Sequence, residues 1–67
     1  MGSTMRLELK RNLNSLTSAI VLSSVAMHSE KVTDARVFVD EARRQCLAAL
    51  NGFETILENL GAGPRKG

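Results

Sequence analysis

From Leu9 onward the apolar residues Leu13, Leu16, Ile20 and Met27 recur at steps of four and three, with Ser23 standing at the missing step. That spacing predicts an amphipathic helix. The stretch from Asn12 to Met27 carries no charge, and between Ala19 and Met27 only Ser23 and Ser24 are polar. A helix apolar nearly all round needs cover on more than one side. The second half of the chain is more regular: Ala35, Val39, Ala42, Cys46, Ala49, Phe53, Ile56 and Leu60 keep the four-three alternation throughout. This reads as a heptad seam, small at Ala35, Ala42 and Ala49 and larger at Val39, Cys46, Phe53 and Leu60, so small and large layers would alternate. Arg36, Asp40, Glu41, Arg43 and Arg44 fall on the other side, with opposite charges at i,i+4 spacing. They predict a solvated face, each pair contributing roughly 0.2–0.5 kcal/mol.

The punctuation places the ends. Thr33 is a suitable N-cap, Asp34 favours the positive end of the helix dipole, and Val32 could staple to Val37. Gly61 follows Leu60 as a C-cap would, and Pro64 blocks continuation. Asn51-Gly52 could break the second helix, since Gly costs about 1 kcal/mol relative to Ala, but the seam stays in phase through it and predicts one continuous helix. The expected elements are a helix over about 5–28, a turn over about 28–33 and a helix over about 34–60. So short a connection makes them antiparallel neighbours. Val21, Leu22 and Val25 on the first helix, and Leu47, Leu50 and Leu57 on the second, would remain uncovered. A second hairpin related by two-fold symmetry would cover them. The predicted fold is therefore all-α: an antiparallel hairpin of two helices dimerising into a four-helix bundle, with Ser18, Val21, Leu22, Val25, Leu47, Leu50 and Leu57 at the interface.

Composition sharpens the need for a partner. A chain of 67 residues forms one domain at most, and a core of that size leaves only a few kcal/mol of net stability without reinforcement. Cys46 is the single cysteine and His28 the single histidine, which excludes an internal disulfide and argues against a metal or other cofactor. Self-association or a partner protein is what is left. The net charge of +2 comes from nine basic and seven acidic residues, too balanced a mixture to announce a nucleic-acid protein. The excess is local: Arg6, Lys10 and Arg11 near the start, and Arg65 and Lys66 in an expected flexible basic tail over 61–67. Residues 1–4, Met-Gly-Ser-Thr, read as a cloning-derived extension ahead of a second methionine, Met5. Basic residues before the apolar run Leu16–Val25, with Ser24-Val25-Ala26 after it, resemble a secretory leader. Glu8 in the basic part and Thr17 and Ser18 in the apolar part argue against one, and the run is too short and polar to span a bilayer. A cytoplasmic protein with no membrane contact is the expectation.

No catalytic constellation is visible: there is no Cys–His pairing in a plausible frame, no glycine-rich phosphate loop and no metal-ligand spacing. The chain reads as a non-enzyme. Cys46, between Ala42 and Ala49 on the seam, is expected to pack as a small apolar residue and to react slowly. His28 beside the turn is expected to be satisfied or exposed. Ser15, Thr17, Ser18, Ser23 and Ser24 give the first helix a small, neutral polar surface, suited to close helix packing or to docking a foreign helix.

In layout, over Leu9 to Leu60, the pattern resembles the Rop family, plasmid-encoded helical hairpins that dimerise into four-helix bundles and bind paired RNA loops. The likeness is one of pattern, without a shared motif, and implies RNA as a minority partner with Arg6, Lys10, Arg11 and Asn14 as contacts. Length and layout also resemble the small co-chaperones of type III secretion needle subunits, which implies one half of a heteromer. A bacterial or phage-borne inhibitor that masks another protein has the same requirements. The leading expectation is a homodimeric interaction protein acting as regulator or adaptor.

Overall fold

The computed structural model describes residues 2–61. Two α-helices, α1 (Ser3–Met27) and α2 (Val32–Asn59), pack against each other as an antiparallel hairpin. The expected basic tail lies, beyond Gly61, outside the described residues. Helix α1 begins at Ser3, ahead of the expected start near residue 5, and its N-cap Gly2 supplies no side-chain hydrogen bond. Its other end is closed by its own neighbours. The His28 and Ser29 amides donate to carbonyls of the last turn, the His28 ring Nδ1 donates to the Ser24 carbonyl at 2.9 Å, and Ser29 Oγ donates to the Val25 carbonyl at 2.9 Å. These bonds occupy carbonyls that a helix end otherwise leaves without partners.

Helix α2 runs unbroken through Asn51 and Gly52, as the phase of the repeat predicts. Its start differs from expectation: Lys31 is the N-cap, Thr33 lies inside the helix without a capping bond, and Val32 and Val37 are both exposed, so no staple forms. At its far end Gly61 takes φ +73° and its amide bonds to the Glu58 carbonyl at 3.0 Å. A left-handed residue just past the helix is the position where glycine has no Cβ penalty.

The seam between the helices is the main departure from the sequence pattern. Ala42, Ala49 and Ile56 are buried with Asn12 and Ala19, while Ala35, Phe38, Gln45 and Gly52 are half-buried. On α2 the seam is thus Ala35, Phe38, Ala42, Gln45, Ala49, Gly52 and Ile56, a heptad repeat whose a positions match the expected ones and whose second row lies one residue earlier. On α1 it is Met5, Glu8, Asn12, Ser15, Ala19, Leu22 and Ala26, each buried or half-buried. Small residues dominate because two backbones approach closely only where side chains are short. One contact sets the register: a Cβ placed on Gly52 would overlap the Asn12 side chain. Carried along the two repeats, that register sets Leu22 level with Ala42 and Ala26 level with Phe38.

The consequence is an almost coreless hairpin. Among the described residues no large side chain is fully buried, and the layer is one helix thick, with extents of 46 × 28 × 11 Å.

Candidate interaction surface

Heptad geometry decides which exposed residues share a side. In an antiparallel pair, the e positions of both helices flank the seam on one side and the g positions flank it on the other. The e positions are Leu9, Leu16 and Ser23 on α1, and Val39, Cys46, Phe53 and Leu60 on α2. Next to them, at b, stand Leu13, Ile20 and Met27 on α1, and Leu50 and Leu57 on α2, with Arg6, Arg36 and Arg43 completing the rows. The opposite side carries Thr4, Arg11, Ser18 and Val25 with Asp34, Glu41, Ala48 and Thr55 at g, and next to them, at c, Leu7, Asn14 and Val21 with Val37, Arg44, Asn51 and Glu58. One side of the hairpin is therefore mainly apolar and the other mainly polar.

The apolar side is open. Leu13 is 63%, Ile20 70% and Met27 75% exposed, and Val39, Leu50, Leu57 and Leu60 all exceed half. Leu9 and Leu16 are half-buried, and Phe53, at the seam's edge, is the best covered of the exposed α2 residues at 38%. Apart from Leu50 and Leu57, these are the residues that the periodicity marks as seam, so the pattern identified a real stripe but assigned it to the contact between α1 and α2. Cys46 is corrected with them: it is exposed rather than packed against α1.

The seven residues expected at an interface do not share a face. Leu50 and Leu57 lie on the apolar side. Ser18 and Val25 lie on the polar side with Val21 on the row beside them, and Leu47 points away from the seam on the back of α2. Leu22 is half-buried at the seam level with Ala42, where a lone hairpin already covers it in part. Arg6, Lys10, Arg11 and Asn14 are all exposed; the first, second and fourth follow one helical row, and Arg11 projects to the polar side.

Electrostatics concentrate on the back of α2. Arg43 donates to Asp40 at 3.0 Å, while Arg44 reaches Asp40 at 2.6 Å and Glu41 at 2.8 Å. The hydrogen bond from Arg43, then the charge of Arg44, hold the Asp40 carboxyl below its ordinary value. All three pairs are solvent-exposed, and such pairs contribute little. Glu41 also accepts from Gln45 Nε2 at 3.1 Å, which ties a seam residue to this network. On the outer surface Thr17 and Thr55 turn their hydroxyls back onto the carbonyls of Leu13 and Asn51.

Among the described residues Asn12 is the one buried polar side chain. It is 5% exposed, and its Nδ2 has no hydrogen-bond partner. Sequence reasoning overlooked it, although the seven-residue spacing of Asn12, Ala19 and Ala26 was available as a signal. Among the described residues no three acidic, histidine or cysteine side chains gather as a metal site, and no helix is long and apolar enough to cross a membrane. No protein-family model matches the chain, and neither the comparison with curated proteins nor that with solved structures found a match.

Proposed function

We propose that the chain is a non-enzymatic association module, a helical hairpin that pairs with a second copy as a four-helix bundle and serves as regulator or adaptor through protein–protein contact. The observation carrying this reading is the open apolar side: large aliphatic groups line one face of a hairpin that buries little else. Monomeric proteins rarely leave contiguous apolar patches beyond a few hundred Å², and larger ones mark interaction sites. The molecule's extents of 46 Å and 28 Å leave room on that side for the roughly 800 Å² per partner of a standard interface. A chemical role has less support, since the only exposed thiol and the only imidazole stand apart, on different parts of the hairpin.

RNA binding is a second reading, favoured by the exposed row of Arg6, Lys10 and Asn14. It engages far less of the molecule and leaves the apolar side uncovered. Sedimentation equilibrium of the 7.3 kDa chain, with helical content followed by circular dichroism, tests the first reading. A mass near twice that of the chain supports it. A folded monomer at all concentrations contradicts it, and retention of RNA at low salt that falls steeply with added salt would support the second.

A further inference from the structure

Resting on that dimer reading, we infer that the two copies meet face to face through the side bearing Leu16, Ile20, Val39, Cys46 and Phe53, which buries Cys46 near the centre of the contact and leaves the Ser18–Val25 side free. Four observations converge on this face and on a second copy as its occupant.

The first is contrast. Large apolar groups fill most of the e and b rows on this side, whereas the g and c rows opposite carry Arg11, Asp34, Glu41, Arg44 and Glu58, with Leu7, Val21, Val25 and Val37 as their large apolar groups. Desolvating charged groups is costly, so the side with fewer charges and more large apolar groups is the one that can lose its water. The second is centring. Cys46 stands midway along α2 (Val32–Asn59), with Val39 one heptad before it and Phe53 one heptad after, and Leu16 lies near the same level on α1. A two-fold axis at this level brings medium-sized groups together at the middle and sets the larger ones on either side, in whichever direction the second hairpin runs.

The third is charge. Arg6 and Arg36 stand at the ends of the b rows, as a polar rim around an apolar contact requires, and Arg43, nearer the middle, is turned back onto Asp40 at 3.0 Å. The fourth is sufficiency. The hairpin's own seam buries three alanines, one isoleucine and an asparagine, too little apolar surface to order two long helices unaided. A second copy supplies the missing layer wherever the chain is present, and symmetry applies each contribution twice.

The test uses the wild-type chain and its single thiol. Labelling of Cys46 by a maleimide is followed from dilute to concentrated protein, alongside sedimentation mass. The expected result is labelling that slows at least ten-fold as the dimer forms, and a pre-labelled chain that stays monomeric. Ile20→Asp should keep labelling fast and the mass that of one chain at every concentration, whereas Val25→Asp should leave dimerisation intact. A dimer whose Cys46 labels as fast as in the monomer would overturn the assignment of this face while leaving the dimer reading standing. A folded monomer throughout would overturn both. Because the primary readout needs no substitution, a variant that fails to fold does not decide the question.

Discussion

Replacing Gly52 by alanine probes how closely the helices approach. In an ordinary helix interior this change stabilises by about 1 kcal/mol, because alanine restricts the unfolded chain and favours the helix. Here the added Cβ would occupy the space of the Asn12 carboxamide, overlapping its oxygen and coming within 2.8 Å of both its carbon and its nitrogen. Rotating the amide does not relieve this, since all three atoms are too close, and at 5% exposure Asn12 has nowhere to swing without opening the seam. Overpacking of this kind costs typically 1–3 kcal/mol, so the net effect of Gly52→Ala should be a loss of up to about 2 kcal/mol. Asn12→Ala with Gly52→Ala should recover that loss and exceed the wild type, because the methyl fills the vacated space and a buried donor without a partner disappears, a gain of roughly 1 kcal/mol or more. A urea-denaturation double-mutant cycle measures the coupling, expected at about 1–3 kcal/mol in favour of the double variant. Stabilisation by Gly52→Ala alone, or simple additivity, would refute the close packing of Asn12 on Gly52.

Ile56→Ala removes the largest side chain buried at the seam and should cost about 2–5 kcal/mol, read as a lower urea midpoint and, near the stability limit, lost helicity. Gly61→Ala forces a Cβ into a left-handed conformation and should cost about 1 kcal/mol, seen as faster amide exchange in the last turn of α2. Asp40 has its pKa lowered by Arg43 and Arg44, so its contribution to stability is present above the ordinary carboxylate value of about 3.9 and is lost as pH falls through the depressed folded value. Thermal midpoints taken from neutral pH down through that window should drop less for Asp40→Asn than for the wild type, and added salt should shrink the difference.

The helices, their antiparallel pairing and the glycine stop at Gly61 were legible because each rests on local chemistry: a 3.6-residue period, a short connection, and a residue without a Cβ. One row of the α2 seam was legible too, at Ala35, Ala42, Ala49 and Ile56. The second row was not. Periodicity weighs hydrophobicity, so it selected Val39, Cys46 and Phe53 over Phe38, Gln45 and Gly52, and Leu13, Ile20 and Met27 over Asn12, Ala19 and Ala26. In a hairpin whose backbones approach closely, small and even polar residues occupy much of the contact, and most of the large apolar side chains stand outside it. The same inversion bears on Leu22: the pattern leaves it uncovered because it takes Ile20 and Met27 as seam, whereas the hairpin half-buries it. The start of α2 was misplaced by capping propensity, which favours Thr33, while the chain enters the helix at Val32 without a side-chain cap.

The central claim, that a second copy covers the open face, is tested most directly by the dependence of unfolding on protein concentration. If folding and pairing are coupled, each ten-fold increase in chain concentration should stabilise the dimer by about 1.4 kcal/mol and raise the thermal midpoint in step. A midpoint that stays constant across a hundred-fold range would show that the hairpin folds alone, and would contradict the account.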